Sequence, residues 1–285
     1  MILFPKKIQI ETTMLCNSKC TFCPQDELTR GPDFMKEKVW KKIVDESRGR
    51  GVLYRPFLIN EPFVDKRLGE IIRYIRNDDT AKVELNSNGK YVSRDLVTEV
   101  LEAGVDWIRF SIDGFSSRTY KLSGRGARYE KVVEDVQFFI SERNRLKSDC
   151  FIEIRMIDMK ENKHEQEDFV SYWKNYADEA TITELYNWPW MGQTEPARVP
   201  CLKIVDEMFF IVDGRATLCC WDFQEKAVVG DIRERTVEEI WLGAVNQNYR
   251  DLLQEGKRDD IDLCSRCDAY KNHDFSDWKG YVESE

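Results

Sequence analysis

The chain has 285 residues, 42% hydrophobic, 12% aromatic and 33% charged, with a formal net charge of −9. That length admits one or two domains with a sizeable core, the aromatic content excludes a long disordered chain, and no apolar run approaches the roughly 18 residues of a membrane span. The acidic balance argues against a dedicated nucleic-acid binder, and the opening Met-Ile-Leu-Phe-Pro-Lys-Lys lacks the basic-then-apolar order of a secretory signal.

In chain order, short β-branched or aromatic segments alternate with segments of three- and four-residue apolar spacing. Strands are predicted at residues 7–12, 53–59, 82–86, 107–112, 151–157 and 180–186, and helices at 39–46, 67–76, 94–102, 130–144 and 165–176. Six strands with helices between them mean βαβ units and a parallel sheet. The pattern fits an incomplete barrel or an open doubly wound sheet and does not choose between them. It breaks at Asn187-Trp188-Pro189-Trp190, where two prolines and a glycine in ten residues read as a loop. Beyond it, 208–212 and 215–218 form a predicted hairpin about Asp213-Gly214. Thr236 and Glu239 form a capping box for a short helix over 236–241. The expected organisation is a first domain over 1–187, a linker over 188–200 and a smaller domain over 201–285.

The chain has nine cysteines and two histidines, His164 and His273. Without a secretory signal, the cysteines read as reduced thiols or metal ligands. Cys16, Cys20 and Cys23 form C-x3-C-x2-C just after the first strand, where the loops of parallel α/β folds build sites. Three thiolates from one loop can hold three corners of a cubane iron–sulfur cluster and leave the fourth iron open. A structural metal knuckle is the alternative, but zinc needs a fourth ligand and no other Cys or His is near in sequence. Cys201, Cys219, Cys264 and Cys267 form a second set that suits zinc or an iron–sulfur cluster equally. Cys150 and Cys220 are left over. Both read as small buried hydrophobes, with a hydrogen-atom donor to a substrate radical as the other reading of Cys220.

The first motif, with Phe22 before its last cysteine, resembles the radical S-adenosylmethionine (SAM) superfamily. The likeness continues in order. Asn60-Glu61-Pro62 after the second strand resembles the family's Gly-Gly-Glu-Pro segment, departing from it at Ile59-Asn60. Asn86-Ser87-Asn88-Gly89 after the third is similar to its Thr-Asn-Gly turn. Ser111-Ile112-Asp113-Gly114 ends the fourth, and Arg125 lies beyond it. The resemblance implies a partial (β/α)6 TIM-type barrel. It implies that Cys16, Cys20 and Cys23 hold a [4Fe–4S] cluster which passes an electron to SAM, giving a 5′-deoxyadenosyl radical. Phe22, Asn60, Glu61, Pro62, Asn86, Asn88 and Asp113 would lie at the cofactor, with Ser111 and Arg125 on the SAM carboxylate.

The C-terminal cysteines, with Asp213-Gly214, Val229-Gly230-Asp231-Ile232 and Glu239-Ile240-Trp241, resemble the family's auxiliary-cluster domain. Five cysteines from 201 onward match its short form, Twitch, rather than the longer SPASM form. That implies a small α+β domain holding a second [4Fe–4S] cluster on Cys201, Cys219, Cys264 and Cys267. The likeness is strongest to members that dehydrogenate an aminocyclitol. It implies a hydrogen-abstracting oxidoreductase acting on a small polar substrate, such as a sugar or aminocyclitol, by dehydrogenation or epimerisation. A maturase that crosslinks or epimerises a peptide is the alternative. Arg155, Glu184, Tyr186 and Asn187 end the last strands and are candidates for the substrate pocket. Trp188 and Trp190 could stack on a sugar or base ring, or cover a domain junction. A flavodoxin- or ferredoxin-type electron donor and a reducing, cytoplasmic setting are the further expectations, with no membrane or nucleic-acid partner.

Overall fold

Alternation along the strands decides what each face of the sheet buries. In the computed structural model, Ile8, Ile10, Tyr54, Val83, Leu85, Ile108, Phe110, Ile152 and Ile154 lie on one face, buried in the core under the helices. Gln9, Arg55, Glu84, Arg109 and Glu153 lie on the other, facing the barrel interior. The structure describes residues 3–28, 30, 33–90, 93–126, 128–185, 201, 203–265 and 267.

The barrel strands are β1 (Lys7–Ile10), β2 (Leu53–Arg55), β3 (Lys82–Ser87), β4 (Trp107–Ser111), β5 (Phe151–Asp158) and β6 (Glu179–Glu184). All neighbouring pairs among them are parallel. The intervening helices are α1 (Glu37–Glu46), α2 (Leu68–Ile75), α3 (Arg94–Glu102), α4 (Ser117–Leu122), α5 (Tyr129–Leu146) and α6 (Gln166–Trp173). This is a partial (β/α)6 barrel, as the resemblance implies. β1 and β2 stop short of the predicted 12 and 59 because the chain turns there into the loops of the site. α4 is an element the sequence reading left out.

The C-terminal part comprises α7 (Lys203–Asp206), β7 (Glu207–Phe210), β8 (Arg215–Thr217), β9 (Val228–Asp231), α8 (Val237–Trp241), α9 (Ala244–Gln254) and α10 (Asp262–Ser265). β7 pairs in parallel with β1, so one sheet runs β6-β5-β4-β3-β2-β1-β7-β8-β9. β8 and β9 follow antiparallel. The hairpin turns where expected, with Gly214 at φ +97°, a conformation open to glycine and unfavourable for other residues. The capping box of α8 is present: the Thr236 side chain accepts from the Glu239 amide at 3.1 Å, and the Glu239 carboxylate from the Thr236 amide at 2.7 Å. Such a cap contributes about 1 kcal/mol.

The barrel interior is ionic at mid-height. Arg109 meets Glu153 at 2.6 Å and Glu84 at 3.2 Å. Arg55 meets Glu84 at 2.8 Å and Glu207 at 3.5 Å. Beneath this belt, Trp107 and Phe151 pack with ring centroids 4.7 Å apart.

Candidate active site

A cavity of about 340 Å³ opens at the C-terminal ends of the strands, within the size range of small-molecule sites. The loop after β1 contributes Cys16, Ser18, Cys20, Phe22 and Cys23, and the loop after β2 contributes Leu58, Ile59, Asn60 and Glu61. β3 contributes Asn86, with Ser87 and Asn88 at its end, and β4 contributes Ser111. Arg125 follows α4. Arg155 and Ile157 come from β5, Thr183, Glu184 and Leu185 from β6 and its end, and Trp221 from the C-terminal part.

The cysteine loop is held from three sides. The Cys23 amide donates to the Cys20 carbonyl at 3.0 Å, just before a single 3-10 turn at Pro24–Glu27. The Thr21 amide donates to the Ser123 carbonyl at 3.1 Å. Gly124 makes that approach possible: its φ is +76°, and a Cβ there would sit 2.5 Å from the Lys19 carbonyl oxygen. Just past β3, Asn88 Nδ2 donates to Asn17 Oδ1 at 2.8 Å and lies 4.0 Å from Cys16 Sγ. Lys90 Nζ donates to the Asn17 carbonyl at 2.5 Å and to the Arg125 carbonyl.

Burial pushes the Cys16 thiol up to about 11 and the Cys23 thiol to about 12, and Cys20 upward as well. Protein groups alone therefore keep these thiols protonated, whereas metal coordination deprotonates a thiol outright. Among the described residues, no three Cys, His, Asp or Glu side chains converge on a single ion. Three thiols from one loop lining one cavity are a donor set that could hold three corners of a cluster. Asn60 Nδ2 is buried with no partner among the described residues, a donor left over at the same cavity.

Not every expected contact lines the cavity. Asp113 is fully buried beneath it and holds Arg125 in place: its Oδ2 accepts from Arg125 Nε at 2.7 Å and from Nη2, and its Oδ1 accepts from the Ile157 amide at 3.0 Å. Pro62 is buried at the start of a short 3-10 turn. Glu61 lines the cavity, but its carboxylate is engaged by the protein. It accepts from the Asn88 amide at 2.7 Å, Ser87 Oγ at 2.9 Å and the Phe63 amide at 3.2 Å. Burial still raises it to about 7. Tyr186, Asn187, Trp188 and Trp190 lie outside the described residues.

Ser18, Ser87, Thr183 and Trp221 line the cavity although the sequence reading had not selected them as site residues. Trp221 carried a signal, being an aromatic residue right after the Cys219-Cys220 pair. Its amide hydrogen bonds to Cys219 Sγ at 3.5 Å, so one residue touches the cavity and the second cysteine set. In that set, Cys201 lies within electrostatic reach of Cys219 and Cys264, and Cys264 within reach of Cys267. Burial raises the thiols of Cys201 and Cys264. Cys220 is not a cavity residue. It sits among Cys219, Lys203, Glu207 and Arg55, and its hydrogen bond with Cys219 and the Lys203 ammonium favour its thiolate. Cys150 is buried under the sheet.

A parallel partial barrel with three cysteines at its mouth, joined to a smaller part with five more, defines a radical SAM protein with an auxiliary cluster-binding domain. The radical SAM superfamily profile matches residues 10–149, and the SPASM iron–sulfur cluster-binding domain matches residues 201–268. The chain carries a radical SAM domain followed by an iron–sulfur cluster-binding domain. It is 22% identical over 274 residues to the SAM-dependent 2-deoxy-scyllo-inosamine dehydrogenase of Niallia circulans, covering 91% of each chain. It is 25% identical over 185 residues to the GTP 3′,8-cyclase of Lactiplantibacillus plantarum, covering 62% of this chain and 53% of the cyclase, so it spans about half the length of that relative. Among solved structures it resembles BtrN in complex with AdoMet and 2-DOIA, with a TM-score of 0.64, 18% identity and 93% of each chain covered. It also resembles Streptococcus suis SuiB bound to the precursor peptide SuiA, with a TM-score of 0.71, 12% identity, and 92% and 71% covered. No described helix is long and apolar enough to cross a membrane.

Proposed function

We propose that this radical SAM enzyme abstracts a hydrogen atom from a small polar metabolite and oxidises or epimerises it, with two [4Fe–4S] clusters. The observation that carries this reading is Trp221, which lines the cavity of the three cysteines and also hydrogen bonds to Cys219 of the second set. Bound clusters would supply the electron that cleaves SAM to a 5′-deoxyadenosyl radical and would take up the electron left on an oxidised substrate.

The chain's own residues bind and shield. Cys16, Cys20 and Cys23 hold the first cluster, and Cys201, Cys219, Cys264 and Cys267 the second. Ser111, Arg125 and Asn60 Nδ2 would hold SAM, and Asp113 fixes the Arg125 guanidinium. Leu58, Ile59, Ile157 and Trp221 keep the cavity apolar enough to exclude water from a reactive carbon radical. For an oxidation, bound SAM would supply the hydrogen-atom acceptor and a cluster on the second cysteine set the electron acceptor. The dehydrogenase similarity over 91% of both chains supports a small substrate. The alternative of a peptide substrate is carried by fold likeness alone.

The test is an anaerobic reconstitution with iron and sulfide. The wild type is expected to hold about eight irons and the Cys16→Ala/Cys20→Ala/Cys23→Ala variant about four. After reduction with dithionite, the wild type releases 5′-deoxyadenosine from SAM and the variant does not. A wild type with about four irons and retained zinc would remove the auxiliary electron acceptor, and the oxidation with it.

A further inference from the structure

Arg155 is the basic cavity residue that the reading above leaves without a task. On β5, Glu153, Arg155 and Ile157 share the inward face. One step down the barrel, the charges close on one another: Arg109 bridges Glu153 and Glu84, and Arg55 bridges Glu84 and Glu207. One step up, Arg155 has Glu153, Asp113, Arg109 and Arg125 within electrostatic reach, but no carboxylate closes on it as an ion pair among the described residues. Ser111 is its register partner on β4, and Asn86 and Thr183 line the same cavity.

The Arg155 guanidinium makes no hydrogen bond or ion pair with the described residues, and its Nε is buried without a partner. The nearby carboxylates are engaged elsewhere or lie apart. Asp113 holds Arg125 and the Ile157 amide, Glu61 is engaged by three donors, and Glu184 is exposed at the cavity mouth. Burial and the guanidinium of Arg109 pull Arg155 down to about 10. A largely buried cation with no ion-pair partner among the described residues is unfavourable by itself, and Arg155 lines the cavity.

We propose that Arg155 is the receptor for an acidic group on the substrate, a carboxylate or a phosphate, so that the substrate class is an acidic small metabolite. The proposal rests on the cavity being the SAM and substrate site. A guanidinium presents parallel N–H donors that match either anion bidentately, and Ile157 and Trp221 line the same cavity. SAM has a carboxylate of its own, and Ser111 adjoins Arg155, so the experiment must separate the two sources of carboxylate.

The protein is reconstituted with its clusters, loaded with SAM, and studied by equilibrium dialysis against labelled inorganic phosphate and against SAM. Wild type, Arg155→Gln and Arg155→Lys are compared. The expected result is phosphate binding that weakens about tenfold in Arg155→Gln, the loss of one charge-assisted contact, and partly returns in Arg155→Lys. SAM affinity stays within about twofold, and the melting temperature of Arg155→Gln is unchanged or higher, because an uncompensated buried charge has been removed. A tenfold loss of SAM affinity would assign the guanidinium to the SAM carboxylate and overturn the proposal. Phosphate binding that is absent or equal in wild type and Arg155→Gln would also overturn it, as would a lower melting temperature, which marks a structural role. A wild type that binds phosphate through Arg155 but does not bind SAM would sink the functional reading and leave the acid receptor standing.

Discussion

Asp113 has no exposed surface, and its carboxylate compensates the buried Arg125 guanidinium. Replacing it by alanine strands that charge, which costs about 3–5 kcal/mol. Anaerobic urea unfolding of Asp113→Ala should show that loss, with SAM affinity falling as Arg125 loses its orientation. Glu61 offers a prediction in pH. Burial raises its carboxyl from the usual 4.5 to about 7, so the folded protein keeps a proton that the unfolded chain has released. The stability this contributes is complete below about 4.5 and is lost as pH rises through about 7. Relative to Glu61→Gln, which does not titrate, the wild type should lose about 2–3 kcal/mol between pH 5 and pH 8. A flat difference across that window would refute the assignment.

The cysteines and the strand-end turns were readable at this scale because ligand spacing and turn chemistry are local. Twelve of the expected residues line the cavity, from Cys16 and Asn60 to Arg155 and Glu184. Asp113 was expected at the cofactor because Ser111-Ile112-Asp113-Gly114 resembles the family's strand-end segment. Spacing cannot tell a side chain that reaches into a cavity from one that supports its floor. Thr183 and Trp221 come to the site from opposite ends of the sheet, a proximity only the fold creates.

At the level of elements, periodicity located all six barrel strands and the five long helices between them. α4 escaped because six residues are too few to show a period, although Ser116 caps it by accepting from the Thr119 amide at 3.3 Å. That helix matters because it delivers Ser123, Gly124 and Arg125 to the cysteine loop. Gly124→Ala places a methyl group against the Lys19 carbonyl and is expected to weaken SAM binding about tenfold, as a shift of this size in an anchoring contact would. Calorimetry on the reconstituted variant measures it. α5 ends on Lys147 at φ +53°, a left-handed conformation costly for a side chain. Lys147→Gly should therefore stabilise the protein by about 0.5–1 kcal/mol, read from the urea midpoint, with no change in iron content.

For the whole molecule, the sequence pattern suggests a boundary near residue 201, yet the sheet crosses it without a break. β7 pairs with β1 along Lys7–Ile10, and Phe209, Phe210 and Ile211 are completely buried. Parallel pairing between segments some 200 residues apart leaves no local mark in either of them, which is why it was not legible. The connection is also ionic. Arg30 reaches from the cysteine-loop region to Glu11 at 2.8 Å, to Glu225 at 2.9 Å and to the Phe223 carbonyl at 2.7 Å. The Glu46 carboxylate at the end of α1 accepts from the Val237 amide at 2.8 Å. A chain cut after residue 200 would expose the β1 edge, a template for intermolecular pairing, and would leave Glu11 buried with its partners disrupted. The cut chain is expected to aggregate and to show no cooperative melt by circular dichroism, even with Cys16, Cys20 and Cys23 intact. A soluble fragment that melts cooperatively and still takes up about four irons would instead show that the barrel folds alone, and that the C-terminal part is an attachment to it.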